Sequence, residues 1–316
     1  MPAMLEIASL EDGRLDALAA LWNETMTADP MTRGELERRF VFDANVGPDG
    51  IVMAIDGREP VGFCVAAAYR RPCPPDIDPA GDRSWIVAIG VKPSARRRGI
   101  ARAMLEHHCR RLAADGRKTL TVATYPLGYV IPGVDVAAYA DAVAFFKAMG
   151  FAERIRPLAM ENDLTRLTVS EKTRETESRL RGEGIVVTPF DSMWTIRYVR
   201  FMCEAMPSDW QRIAWRDLTE IGQGKAAPQR VFIAHDATRV LGYCRHEAGR
   251  FGPFGVAEAA QGKGIGTVLL AKTLTAMRDG GEKRAFLLWT SDETARLYAR
   301  FGFKEWRRFA VMQRQL

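Results

Sequence analysis

Val91-Lys-Pro-Ser-Ala-Arg-Arg-Arg-Gly-Ile-Ala101 is echoed further along the chain by Val256-Ala-Glu-Ala-Ala-Gln-Gly-Lys-Gly-Ile-Gly266, so both carry V-x-x-x-x-[RQ]-x-x-G-I-[AG]. The surroundings repeat as well. Upstream of the first copy, Ile51–Ile55 and Val61–Val65 flank Asp56–Pro60; upstream of the second, Val231–Ala234 and Val240–Cys244 flank His235–Arg239. Each set reads as an apolar hairpin. Downstream comes an amphipathic helix, with Leu270, Leu274 and Met277 at i, i+4 and i+7 in the second copy. An apolar strand follows (Thr119–Ala123; Ala285–Trp289), and then a helix closing on Gly-Phe (Phe145–Phe151; Leu297–Phe303). Both halves therefore read as β-β-β-α-β-α-β. The fold class is α/β (α+β): two tandem domains, each a mixed, mainly antiparallel twisted sheet flanked by helices.

The differences between the halves are localised. Gly62 to Gly99 is a longer interval than Gly242 to Gly264, and the surplus coincides with Arg70–Asp82, too rich in proline for helix or central strand. Gly99 to Gly150 likewise exceeds Gly264 to Gly302, with the surplus on Tyr125–Asp135. Loops of this length in compact domains shape pockets or move. The charged stretch Ser170–Gly184 holds good helix formers and stops at glycines, which places the boundaries at residues 1–168 (N-terminal domain), 169–184 (linker helix) and 185–316 (C-terminal domain).

Composition narrows the function. The chain has 316 residues, 47% hydrophobic and 27% charged, the balance of a folded globular protein rather than a disordered one. Without an apolar run long enough to span a bilayer or a basic-then-apolar leader, a soluble cytoplasmic protein is expected. Five cysteines without a C-x-x-C pair argue against a disulfide framework and a zinc site, and no metal cluster is visible. The net charge of +6 fits either a nucleic-acid binder or an enzyme holding a polyanionic cofactor. The basic residues are scattered, and no helix-turn-helix, zinc finger or stacked-aromatic signature accompanies them, so nucleic acid is set aside.

The repeated motif joins an apolar strand (Trp85–Val91 in the first half) to the start of a helix. There, free N–H groups and about +0.5 charge of helix dipole favour a phosphate, and glycine admits it to the backbone. A P-loop is excluded because Lys263 is followed by Gly264 rather than a hydroxyl residue. The dinucleotide fingerprint is excluded because Gly262, Gly264 and Gly266 have the wrong spacing.

These residues resemble the GNAT superfamily of acyl-CoA-dependent N-acyltransferases, whose signature is [RQ]-x-x-G-x-[GA] at this junction. Arg96, Gly99 and Ala101 match it in one half, and Gln261, Gly264 and Gly266 in the other. The tandem arrangement is similar to mycothiol synthase-like proteins. The resemblance implies acetyl-CoA as cofactor, its pyrophosphate on the turns Val91, Arg96, Arg97, Arg98, Gly99, Ile100, Ala101 and Val256, Gln261, Gly262, Lys263, Gly264, Ile265, Gly266. The three arginines are read as phosphate partners, with at least one left to solvent.

The resemblance further implies a tyrosine acid in the last helix. Tyr298 holds that position, whereas Phe146 replaces it in the first half, so the C-terminal domain is expected to be catalytic. Glu247 is the first candidate for the base, with His246 and Glu258 as alternatives. Trp194, Trp210 and Trp215 fall where the family builds its acceptor pocket, although packing in the core accounts for most such tryptophans; His107 and His108 read as structural. Asp292 and Thr294 read as a helix cap and first-turn hydroxyl. The expected activity is acetyl transfer from acetyl-CoA to a primary amine of a small molecule, by a monomer or homodimer. A peptide or protein amine, or a non-catalytic coenzyme-binding regulator, are the alternatives.

Overall fold

The computed structural model describes residues 5–70, 78, 81–126 and 130–316. The chain forms two compact units, Met1–Pro157 with Arg308–Leu316, and Leu158–Arg307.

In the first unit, β1 (Leu5–Ser9) is followed by α1 (Leu15–Thr25) and α2 (Arg33–Leu36). Then come β2 (Ile51–Asp56), β3 (Glu59–Ala68), β4 (Arg83–Val91), α3 (Ile100–Ala114) and β5 (Thr119–Val122). The short β6 (Val134–Asp135), α4 (Ala140–Ala148) and β7 (Ala152–Ile155) complete its own run of chain. Strands β1 to β4 pair antiparallel in sequence order, and β4 pairs parallel with β5. Alternation of side chains along β2 sends Val52 and Ala54 to the α3 side and Ile51, Met53 and Ile55 to the α1 side, so the sheet is buried on both faces. The strand that closes this sheet comes from the chain's C-terminus: Gln313–Gln315 pair with Thr119–Thr121 of β5, and Val311–Gln313 with Ala152–Ile155 of β7.

The second unit begins with β8 (Leu158–Asp163), which pairs antiparallel with β13 (Arg284–Thr290). Between them run α5 (Glu171–Gly182), β9 (Val186–Pro189), α6 (Thr195–Ala205), α7 (Ser208–Gly222), β10 (Val231–His235), β11 (Val240–Glu247), β12 (Arg250–Val256) and α8 (Ile265–Asp279). After β13 come α9 (Asp292–Ala299) and β14 (Lys304–Gln315), whose first residues stay in this unit.

Two boundaries differ from the sequence reading. Residues 158–168 do not close the domain that precedes them; β8 sits in the second unit, and Arg308–Leu316 take the closing place in the first. The stretch 169–184 is not a free linker, because Thr173 and Leu180 are buried in the second unit's core and Glu177 pairs with Lys272 of α8 at 2.7 Å. The edge strands β1 and β9 were absent from the seven-element scheme. Most of Arg70–Asp82, and part of Tyr125–Asp135, lie outside the described residues. Among the described residues no helix is long and apolar enough to cross a membrane.

Candidate active site

The two motif turns share one backbone conformation. Gly262 and Gly264 have φ of 75° and 86°, and the matching Arg97 and Gly99 have 63° and 80°. Left-handed residues spaced in this way form a concave nest of N–H groups. The N–H groups of Gly262 and Gly264, and those of Arg97 and Gly99, have no hydrogen-bond partner among the described residues. The unsatisfied donors of a helix's first turn follow directly, in α8 and in α3.

The first motif residue has the same task in both copies. Gln261 Nε2 donates to the carbonyl of Val256, and Arg96 Nε to that of Val91, each at 3.2 Å. A long side chain ending in an N–H donor is what this back-bond needs, which explains why Arg and Gln exchange here. Of the three adjacent arginines, Arg96 is tied to the strand end and Arg98 pairs with Asp56 at 2.8 Å. Arg97 is exposed and has no partner among the described residues.

Beyond the turn, neighbouring strands part. β12 and β13 share one registered pair, Arg250 with Phe286, while β4 and β5 stay paired from Arg83–Thr119 to Ile86–Val122 and then separate. Register breaks in β11–β12 and β3–β4 beside these points mark bulges, which bend a strand away from its neighbour. A Cβ on Gly266 would meet the Phe254 ring at 3.0 Å, so the small last motif residue makes room for this β12 side chain.

Tyr298 on α9 packs against Phe251, Phe254 and Phe303 at centroid distances of 5.9, 6.4 and 5.6 Å. It is 7% exposed, and burial, with Cys244 nearby, pushes its phenol well above the usual range. The phenol therefore keeps its proton at neutral pH. Phe146 takes the matching place in the first unit, packed on Phe145 and Phe151.

Two family models match the chain, one described as acetyltransferase (GNAT) family over residues 15–151 and one as acetyltransferase (GNAT) domain over residues 227–305. The chain belongs to the GNAT acetyltransferase family. Its fold is shared with solved structures. A GCN5-related glucosamine N-acetyltransferase region of a fungal multi-domain GH3 β-N-acetylglucosaminidase superposes with a TM-score of 0.81 at 19% identity, over 99% of this chain. The chain spans 38% of that fungal protein. A GCN5-related N-acetyltransferase from Sphaerobacter thermophilus gives 0.70 at 15% identity, covering 98% of this chain and 95% of that one. A tandem GNAT protein from the clavulanic acid biosynthesis pathway gives 0.62 at 17%, covering 99% and 98%. No curated protein matches the chain.

Within this GNAT chain, Glu247 is not the free carboxylate that a general base requires. Arg245 Nη2 and Arg216 Nη2 lie 3.0 and 2.7 Å from its Oε2, and Arg230 lies 3.4 Å from its Oε1. Burial raises its affinity for a proton, but the hydrogen bond and charge of Arg245, with Arg216 and Arg230, outweigh that and hold the carboxyl below its usual range. His246 is engaged with the Gln229 carbonyl at 3.0 Å, and burial lowers its pKa. Glu258 is exposed in the short turn before Gln261.

Trp194 is buried and stacks on His235 at 3.9 Å, while Trp210 and Trp215 pack on the same core cluster. His108 is fully buried with Nε2 3.3 Å from the Cys64 carbonyl, and burial drives its pKa down to about 3, so it stays neutral. The cap of α9 is Ser291, one residue before the expected Asp292, with its hydroxyl accepting from the Thr294 N–H at 3.2 Å.

Sequence reasoning missed a contact at the second turn. Arg179 Nη2 of α5 donates to the Lys263 carbonyl at 2.6 Å, and a Cβ on Gly264 would lie 2.6 Å from the Thr176 methyl carbon. A Cβ on Gly99 would meet nothing within 4 Å. The only hint was the pair Thr173 and Leu180, seven residues apart on an otherwise charged helix.

Proposed function

We propose that this chain is an acetyl-CoA-dependent N-acetyltransferase, working in its second domain on a primary amine of a small-molecule acceptor. The observation that carries the reading is Tyr298, a protonated phenol on α9 beside the parting of β12 and β13, where the first domain has Phe146. When bound, acetyl-CoA supplies the thioester. The open N–H groups of Gly262 and Gly264 and the first turn of α8 are suited to phosphate charge, and Gln261 and Arg179 hold that turn in shape. Tyr298 Oη holds the proton for the departing thiolate.

Glu247 does not supply a strong base at this site, because its charge is committed to three arginines. An alkyl amine with a pKa of about 10.4 is neutral in roughly one molecule per few thousand at pH 7, so rates are expected to climb with pH as the free amine accumulates. Glu247 is assigned to positioning Arg245 and Arg230.

Calorimetric titration of acetyl-CoA tests the binding half of the proposal. Gly264→Val is expected to abolish the productive event and Gly99→Val to leave it; no binding to the unmodified protein, or binding indifferent to Gly264→Val, would overturn it. The chemical half is tested with Tyr298→Phe, measured by thiol release over a panel of small primary amines. The expected fall in kcat is on the order of a hundredfold, with acetyl-CoA affinity unchanged. An unchanged kcat would remove Tyr298 from the reaction.

A further inference from the structure

A cavity of about 320 Å³ in the first unit is lined by Asn45, Ala68, Arg70, Arg111, Asp115 and Arg117. Three guanidinium groups face one carboxylate there. The motif turn at the start of α3 is remote from it, since Arg111 lies eleven residues after Ile100, about 16 Å along the helix axis at 1.5 Å per residue.

Each arginine is placed by a different feature. Arg117 is fixed by donating to the carbonyls of Tyr69, at 2.6 Å, and Gly81, and its buried Nε has no partner. Arg111 has a buried, unpartnered Nε, and its contact with Asp115 is 3.6 Å, beyond hydrogen-bond reach. Arg70 has no carboxylate partner among the described residues, and its guanidinium occupies the space of the missing side chain of Gly47, whose Cβ would lie 2.6 Å from it. Gly47 has φ of 66°, so this seat is built into the backbone.

The charge here is in excess. Burial pulls the Arg111 guanidinium below its usual range, and the charge of Arg70 adds to that against Asp115 and Asp49. Asp49 itself accepts a hydrogen bond from Ser9 at 3.2 Å.

We infer that this cavity is a binding site for a small phosphate-bearing anion, such as a phosphate monoester or pyrophosphate, separate from both motif turns. Arg70 has no side-chain hydrogen bond among the described residues, Arg111 has an unpartnered Nε, and Arg117 contributes a fixed charge. Inorganic pyrophosphate is the probe, titrated calorimetrically into the full chain and into Arg70→Gln, Arg111→Gln and Gly99→Val.

Arg70→Gln, which removes no side-chain hydrogen bond among the described residues, is expected to weaken pyrophosphate at least tenfold while acetyl-CoA affinity stays unchanged. Arg111→Gln should do the same, and Gly99→Val should leave the event in place. Undiminished pyrophosphate binding in Arg70→Gln overturns the site. So does a parallel loss of acetyl-CoA, which would make the arginines part of coenzyme binding. The acetyl-CoA arm reads the proposed enzymatic function separately, so either inference can fail without the other.

Discussion

Deleting Arg308–Leu316 is expected to unfold the N-terminal domain and leave the C-terminal core intact. These nine residues belong to the first unit although they end the chain. Phe309, Ala310 and Met312 are fully buried there and Val311 nearly so. Their strand is hydrogen-bonded on both sides, to β5 and to β7, so its removal also orphans two ladders of backbone groups. Arg314 adds bonds to the Met149 carbonyl at 2.8 Å and to Cys109 Sγ at 2.9 Å, and lies over the Phe151 ring. Burying a large apolar side chain contributes about 1.5–3 kcal/mol, so Phe309, Val311 and Met312 together reach roughly 6 kcal/mol. That is comparable to the whole stability of a domain, about 5–15 kcal/mol. Hydrogen exchange resolves the outcome: amides of β3, β4 and β5 should lose protection while those of β10 and β11 keep theirs. Retained protection in β4 and β5 would show that the first unit folds without its borrowed strand.

That exchange of strands could not be read from the sequence, and the reason is physical. The apolar run Phe309–Met312 specifies a strand buried on both faces, but the same run suits any sheet with a vacant neighbour. The motif turns were legible because they need left-handed residues and a long donor side chain at fixed spacing, and Gly99, Gly264, Arg96 and Gln261 announce both. Arg97 concealed part of the pattern, since it adopts at φ 63° the conformation that Gly262 adopts with less strain. The surroundings of Glu247 were not legible because its partners arrive from elsewhere in the chain, Arg216 from α7 and Arg230 from the turn before β10. Charge dominates the composition of helix α5 and hides its docking, yet two buried side chains suffice to dock it.

The cluster that captures Glu247 leads to the other large effect. Arg245 on β11 and Asp217 on α7 are 4% and 1% exposed, and form a two-pronged contact at 2.6 and 2.9 Å. Asp217→Ala leaves the Arg245 charge buried with Glu247 as its remaining partner, itself a third exposed. Breaking a buried pair in this way costs about 3–5 kcal/mol, so β10, β11 and α7 should lose most of their hydrogen-exchange protection. Replacing both partners, Asp217→Leu with Arg245→Met, should restore most of it, because no charge is then stranded. Glu247→Gln is expected to cost far less, about 1 kcal/mol, since that carboxylate is partly solvated. Its sign with pH follows from the lowered pKa: the contribution is full above the unfolded carboxyl value and is lost as pH falls through the folded one. If Asp217→Ala and Glu247→Gln cost the same, the buried pair is not what fastens α7 to the sheet. A double variant no more stable than Asp217→Ala would mean that packing, rather than a stranded charge, sets the loss.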